Sequence, residues 1–279
     1  MTPSVDLAIF FVSLAAGLLG ALAGVGGGML VIPALTILFG IDIRLAIGAS
    51  IVSVIATSSG AAAAYVRDRL TNLRLGMFLE LATTSGAVGG ALLTAVVAPT
   101  LLYLVLGAVL LISAGVQLTR LGTESTLDVG SGIAQRLGLA DSYFDHRMQQ
   151  EVGYAASRIP LGFVLMAFAG LVSGLLGIGS GALKVIAMDG AMRLPMKVSS
   201  ATSNFMIGVT AAASAGIYIG RGDVDAAIAS PVALGVLAGA FLGARLLGRL
   251  TNRTVRLIFV PVLVAIGLET ILRGLGLGL

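Results

Sequence analysis

The sequence predicts an all-α membrane protein made of two inverted repeats, each a broken or re-entrant helical segment followed by three transmembrane helices. Three observations support this fold class. The chain is 57% hydrophobic and 11% charged, with a mean hydropathy of +1.06, whereas a soluble domain carries about 25% charged residues. Two glycine-rich stretches interrupt apolar segments at matching places. Lysine and arginine are also distributed very unevenly among the loops.

The two glycine-rich stretches belong to an internal repeat. Aligning residues 16–30 with residues 169–183 makes 8 of 15 positions identical, and four of the eight are glycine. In each half, short apolar pieces (29–39 and 182–188) follow the glycines. These pieces are too short to cross about 30 Å of hydrocarbon alone.

Longer apolar segments complete each half. Six of them have, or nearly have, the length needed to cross: 45–66, 75–98, 101–118, 198–219, 226–247 and 255–272. The polar residues between the halves form a connecting segment. The predicted domains are therefore a first transmembrane repeat (1–119), a cytoplasmic connecting loop (120–159) and a second transmembrane repeat (160–279).

The loop charges favour the inverted orientation. If each broken segment enters the membrane and returns, 13 lysines and arginines fall on one side and 3 on the other, whereas eight ordinary spans divide them 9 to 7. Basic residues concentrate in cytoplasmic loops, so we expect a multi-pass inner (plasma) membrane protein with both termini outside. The first side holds Arg67, Arg69, Arg74, Arg120, Arg136, Arg147, Arg158, Arg193, Lys197, Arg245, Arg249, Arg253 and Arg256, and the other holds Arg44, Arg221 and Arg273. Broken segments that cross twice give the same division, so the charges leave their depth open.

Inverted repeats with interrupted helices are typical of secondary transporters that bind substrate near the midplane. A helix break exposes backbone N–H groups and the positive end of a helix dipole, which attract anions. Glycine also lets a ligand approach the chain closely, although the same glycines could serve only helix packing. We expect a small anionic substrate between the breaks. The predicted binding residues are Gly24, Gly26, Gly27, Gly28, Ser50, Gly177, Gly179, Ser180, Gly181, Lys184, Thr202 and Asn204.

Lys184 is the charged member of this set, and it lies in the apolar stretch ALKVIAM. A lysine at membrane depth costs about 2.5–3.5 kcal/mol on insertion scales and is by default a functional candidate. It could instead pair with Asp189 or extend to the cytoplasmic face. Its counterpart in the first half is Val31, so a site that uses the lysine is asymmetric. Ser50, Thr202 and Asn204 are expected to line the path with hydroxyl and amide groups.

Other features have simpler interpretations. The lipid bilayer is a predicted partner, nucleic acid is not, and the oligomeric state is not predicted. No cofactor or metal is predicted, since the chain lacks cysteine and metal-ligand spacing. An intramembrane enzyme is not predicted, because a Ser–His pair would have to use His146 in the polar segment. Glu80 and Glu269 are expected to reach water near helix ends. Gly86 and Gly90, and Gly235, Gly239 and Gly243, recur every four residues and predict helix-packing faces.

Several motifs together resemble the TauE/SafE family of sulfite exporters. They are GVGGGMLVIPAL at 24–35, GIGSGALKV at 177–185, PMKVSSATSNFMIGVTAAASAGIYIGRGDVD at 195–225, LGARLLGRL at 242–250 and SYFD at 142–145. The resemblance covers nearly the whole chain and implies a transporter, usually an exporter, of sulfite, organosulfonates or related small anions. It also leads us to expect glycine where Ser180 stands and proline where Ile186 stands. A passive anion channel or an importer of a related small anion is the alternative.

Overall fold

The computed structural model describes residues 3–23, 27–67, 71–119, 138–145, 150–247 and 252–277. Gly24, Gly26 and His146 lie outside these described residues. The helices are α1 (Pro3–Ala23), α2 (Gly28–Phe39), α3 (Ile43–Arg67), α4 (Leu73–Leu93), α5 (Pro99–Thr119), α6 (Ile159–Leu176), α7 (Gly181–Val185), α8 (Met196–Arg221), α9 (Ala226–Leu247) and α10 (Asn252–Gly274). Helix α7 continues into a π-helical turn over Ile186–Ala191.

Helix lengths confirm the all-α membrane class. Among the described residues, five helices are long and apolar enough to cross a membrane: α1, α4, α5, α6 and α9. Helices α1 and α6 have 21 and 18 residues, or about 31 and 27 Å at 1.5 Å per residue. The first piece of each broken segment therefore has spanning length. Helix α2 has 12 residues, about 18 Å, which is shorter than the hydrocarbon core.

The helices of the two halves are related by one constant shift in residue number, which we call the repeat offset. It is the offset that aligns the glycine-rich stretches by placing position 16 on position 169. Four helices of the second half begin at this same offset from their counterparts. The pairs of first residues are Gly28 and Gly181, Ile43 and Met196, Leu73 and Ala226, and Pro99 and Asn252. The internal repeat in the sequence is therefore a repeat of helices.

The glycines that recur every four residues lie at two helix–helix contacts. Helix α9 packs along α1 and helix α4 packs along α6, and exchanging the halves turns one pair into the other. A side chain at Gly239 would meet the carbonyl oxygen of Leu14, and one at Gly90 would meet that of Leu171. Without a Cβ atom the backbones approach closely. The predicted packing faces are confirmed.

Equivalent helices from the two halves also contact each other, and they run antiparallel. Near the start of α3, Gly48 lies against the backbone of Asp223, which follows α8. Further along α3, the Ser58 hydroxyl lies against Gly208, near the middle of α8. Helices α5 and α10 meet in the same sense. Gly274, at the end of α10, lies against the carbonyl of Thr100 near the start of α5, and Gly107, further along α5, lies against the carbonyl of Gly267.

The segment predicted as a connecting loop contains an antiparallel β-hairpin, β1 (Asp141–Asp145) and β2 (Gln150–Tyr154). Residues 120–137 and 146–149 of that segment are outside the described residues. Tyr143 and Tyr154 join a buried apolar cluster with Leu75 of α4 and Met192, and burial raises the pKa of the Tyr154 hydroxyl. The amide of Asn72, just before α4, donates to the carbonyl of Leu139 at 3.4 Å. The segment thus covers the N-terminal end of α4.

Candidate functional site

The second break is formed by three residues with left-handed backbone angles. Helix α6 ends at Leu176, and Gly177, Gly179 and Ser180 then have φ values of +61°, +73° and +40°. Residues other than glycine rarely adopt this region because Cβ approaches the following carbonyl oxygen. Ser180 therefore occupies a backbone conformation that suits the glycine expected from the family resemblance.

Contacts beside each break bring the start of the following helix onto the preceding helix. The Ser180 hydroxyl donates to the carbonyl of Ala169, well back in α6, at 2.7 Å. In the first half, Gly27 lies against the backbone of Gly17 in α1. The helix that follows each break therefore starts beside the helix that precedes it.

Ser50 of α3 brings the two breaks together. This fully buried side chain has its hydroxyl 3.1 Å from the carbonyl of Gly28 and 3.0 Å from that of Gly177. A hydroxyl has one proton, so it donates to one of the two carbonyls at a time. Ser203 is the counterpart of Ser50 under the repeat offset, and its hydroxyl lies 3.2 Å from the carbonyl of Gly181.

The described glycines of the breaks pack tightly against α3, α8 and α9. A Cβ atom at Gly179 would lie 2.8 Å from Ile207 and 3.1 Å from Val54, and one at Gly181 would lie 2.6 Å from Ile207. A Cβ atom at Gly177 would meet Ile47, one at Gly28 would meet Ser50 and Val54, and one at Gly27 would meet Val236. Close packing is therefore one role of these glycines, and a role in ligand binding stays a prediction.

Lys184 lies in a buried polar network one helical turn from the second break. Its side chain is 0% exposed, so the alternative interpretation, that the side chain extends to the cytoplasmic face, is wrong. The ammonium donates to the Thr210 hydroxyl of α8 at 2.6 Å, and that hydroxyl donates to Oε1 of Glu80 in α4 at 2.6 Å. The hydroxyls of Thr83 and Thr84 donate to Oε2 and Oε1 of Glu80 at 2.9 and 2.8 Å.

The expectation that Glu80 reaches water is wrong, since the residue is only 8% exposed. It lies in the second turn of α4, near the end that the connecting segment covers. In addition, three threonine hydroxyls surround its carboxylate. The end of this apolar segment is therefore enclosed by protein.

Two of the predicted site residues lie away from the breaks. The Thr202 hydroxyl accepts from the backbone N–H of Asn72 at 3.1 Å, and the Asn204 amide donates to the carbonyl of Ser200 in its own helix at 3.0 Å. Ser203, between them, is the α8 residue whose hydroxyl donates to the second break. The repeat offers a signal that points to it, because the repeat offset carries Ser50 onto Ser203.

The network combines one cationic and one anionic group around a hydroxyl. An ammonium has three N–H donors and a carboxylate accepts only, so the lysine can hold an oxyanion while the glutamate can take up a proton. Within the described residues, no group of three His, Cys, Asp or Glu side chains comes together in a way that could hold a metal ion.

Comparison with known proteins identifies a family of membrane transporters. The family model for the sulfite exporter TauE/SafE matches residues 9–270. The chain is 26% identical over 270 residues to the probable membrane transporter protein YunE of Bacillus subtilis, covering 94% of this chain and 96% of the relative. It is 28% identical over 241 residues to the probable membrane transporter protein YdhB of the same organism, covering 86% and 87%. No solved structure matches significantly. This multi-pass membrane protein therefore belongs to the TauE/SafE sulfite exporter family.

Proposed function

We propose that the protein is a secondary transporter that exports small sulfur-containing anions, such as sulfite or organosulfonates, without a chemical reaction. The anion binds near the membrane midplane between the two breaks, beside Lys184. Family membership supports transport. The observation that carries the proposal of an anionic substrate is the fully buried ammonium group of Lys184 next to the second break.

The inverted repeat is part of the proposal. Helices α3 and α8 occupy equivalent positions in the two halves and run antiparallel, as do α5 and α10. A twofold axis that relates two antiparallel helices is perpendicular to the helix axes. For membrane-spanning helices such an axis lies in the membrane plane. The 13 to 3 division of basic residues supports the same arrangement, with both termini outside the inner membrane.

Charge magnitudes indicate which group contributes most to anion binding. Each helix dipole contributes about 0.3–1 kcal/mol. An ammonium 4 Å from the anion contributes up to about 4 kcal/mol at an effective dielectric constant of 20, before its desolvation is subtracted. The two remaining N–H donors of Lys184 are the groups from which we expect a substrate oxygen to accept.

Counterflow in proteoliposomes tests this function. Purified protein is reconstituted with unlabelled sulfite, thiosulfate or sulfoacetate inside, and uptake of the same [35S]-labelled anion is followed, with acetate and taurine for comparison. A carrier of sulfur anions shows saturable uptake that unlabelled anion on the far side accelerates. Uptake equal to that of empty liposomes for all three anions contradicts the proposal. Flux that unlabelled anion on the far side does not accelerate identifies a passive channel.

A further inference from the structure

We infer that Glu80 couples anion movement to proton movement: it binds one proton when one anion binds beside Lys184, and it releases the proton with the anion on the other side. This inference rests on the proposed function and adds the coupling ion to it. The coupling is a symport whose direction follows the two gradients, so a high cytoplasmic concentration of the anion drives export.

The first step of the argument is the position of Glu80. It is a nearly buried carboxylate in a helix long and apolar enough to cross the membrane. It is joined to the fully buried Lys184 by the single hydroxyl of Thr210, with both hydrogen bonds at 2.6 Å. Intramembrane carboxylates of this kind are rare and usually mark ion or proton pathways.

The second step is the charge balance. With Lys184 protonated and Glu80 ionised, the network is neutral. An anion that binds to the ammonium brings a negative charge into a region from which water is excluded, and an unpaired buried charge is strongly unfavourable. A proton on Glu80 cancels one unit of this negative charge, which restores neutrality for a monoanion and halves the excess charge for a dianion such as sulfoacetate. In both cases it removes the repulsion between carboxylate and substrate. Proton and anion binding therefore favour each other.

The third step is that the hydrogen bonds can accommodate the proton. The Thr210 hydroxyl has a second acceptor, the carbonyl of Met206 at 2.8 Å. When Glu80 is protonated, its O–H donates to Thr210, and Thr210 turns its own proton to Met206. The oxygen of Thr210 has two lone pairs, so it can accept from Glu80 and from Lys184 at once. With the bound anion accepting from the other two N–H groups of Lys184, no buried donor among these groups is left unsatisfied.

The fourth step concerns the other charges around Glu80. Helix α4 packs against α6 and α8, and α6 carries no titratable side chain. On α8, Lys197, Tyr218 and Arg221 are 13, 8 and 11 residues from Thr210, about 20, 12 and 17 Å along the helix. Arg74 is six residues before Glu80 on α4, about 9 Å away. Asp189 lies in the π-helical turn five residues beyond Lys184.

A pH-gradient experiment tests the inference. Proteoliposomes with an interior one pH unit more alkaline than the medium are clamped at zero membrane potential with potassium and valinomycin, and [35S]sulfoacetate is added outside. The charge of sulfoacetate is constant near neutral pH, because carboxyl groups titrate near pH 4. A one-to-one symport accumulates the anion about tenfold, since one pH unit is a tenfold proton gradient.

The decisive variant is Glu80→Gln, which imitates the protonated carboxyl group. Accumulation is read relative to the counterflow rate of the same variant, and Glu80→Gln is expected to lose all accumulation driven by the pH gradient, while Glu80→Asp retains part of it. Glu269→Gln is the matched control, since it removes another carboxylate from α10, a helix of similar length to α4. This variant should accumulate sulfoacetate to the wild-type level.

The outcomes separate the inference from the proposed function. Two results overturn the inference without contradicting the proposed transport function. One is counterflow by the wild-type protein without accumulation, and the other is accumulation by Glu80→Gln equal to that of the wild type. A wild-type protein without counterflow overturns the proposed function itself. If Glu80→Gln does not fold, proton uptake by wild-type vesicles is followed with an internal pH dye during sulfoacetate entry. Sulfoacetate entry without proton entry then overturns the inference.

Discussion

At the scale of single residues, Lys184 and its neighbours carry the chemistry of the proposed site. Burying an ammonium is unfavourable unless partners compensate it. Here the compensation comes from the Thr210 hydroxyl and, through it, from the Glu80 carboxylate. Exchanging the two halves places Val31, Thr57 and Ala233 at the positions equivalent to Lys184, Thr210 and Glu80, so the network has no counterpart there.

Replacing Lys184 tests its role in binding. Lys184→Met keeps apolar bulk but removes the charge, so the dissociation constant for sulfite should rise at least tenfold, equivalent to about 1.4 kcal/mol. Lys184→Arg should weaken binding only partly. Val31→Met, at the equivalent buried position, is the control and should change affinity little. Calorimetric titration of the purified proteins measures this, and unchanged affinity in Lys184→Met would assign binding to backbone groups alone.

Thr210→Val tests the hydroxyl between the two charges. The substitution keeps the shape of the side chain but leaves Lys184 and Glu80 without their shared partner, which should lower the free energy of unfolding by about 1–3 kcal/mol. Thr57→Val is the matched control, because the Thr57 hydroxyl bonds carbonyls of its own helix. Thermal unfolding in detergent should show a clear loss for Thr210→Val alone; equal losses for both variants would contradict the network.

At the scale of helices, glycines set how closely the elements approach. Those of α4, α6 and α9 bring backbones together without a hydrophobic driving force, which does not exist between helices in lipid. Those of the second break have a different requirement, because Gly177 and Gly179 adopt positive φ angles. Ser50 and Ser203 then fasten the breaks to α3 and α8.

Neighbouring glycines in α4 provide a test of the packing contact. A methyl group at Gly90 would meet the carbonyl of Leu171, whereas one at Gly89 would have no atom within 4 Å. Gly90→Ala should therefore lower stability by about 1–3 kcal/mol through overpacking. Gly89→Ala should be neutral or raise stability by up to about 1 kcal/mol through helix propensity. Melting temperatures of the two variants decide this, and equal values would contradict the contact.

Gly179→Ala tests the backbone of the second break. Its φ of +73° disfavours any Cβ atom, and Ile207 and Val54 occupy the adjacent space, so the break must change shape. We expect counterflow to be lost while the protein still inserts in the membrane. Gly220→Ala, in α8 with open space around it, is the control. Counterflow at the wild-type rate in Gly179→Ala would show that the break tolerates the change.

At the scale of the whole molecule, the duplicated architecture could be predicted from sequence and the asymmetric site could not. The glycine-rich stretches fix the repeat offset that all four compared helix pairs obey, because a repeat fold needs equal segment lengths. Hydropathy predicts the apolar segments because apolar side chains are the ones that are stable in the hydrocarbon core of the membrane. The polar residues that follow the first break include Ser50, which the sequence therefore predicts at the site; the same offset indicates Ser203, which is not among the predicted site residues.

Contacts between distant segments explain the remaining misses. Glu80 lies near the end of an apolar segment, where a carboxylate usually reaches water, and only the packing of α4 against α8 and the connecting segment encloses it. The β-hairpin in a polar segment has no strong hydropathy pattern of its own. Its tyrosines are held by residues from α4 and from the chain after α7, which sequence periodicity does not reveal.

The central claim is that the two halves are inverted copies in the membrane, and cysteine labelling tests it most directly. The chain has no native cysteine, so single substitutions at Asp42, Asp223 and Ala140 give clean signals with a membrane-impermeant maleimide on intact cells. The account predicts that Asp42→Cys and Asp223→Cys label from outside and that Ala140→Cys labels only after the membrane is opened. Labelling of Asp42→Cys and Asp223→Cys from opposite sides would contradict the inverted arrangement and indicate eight ordinary spans.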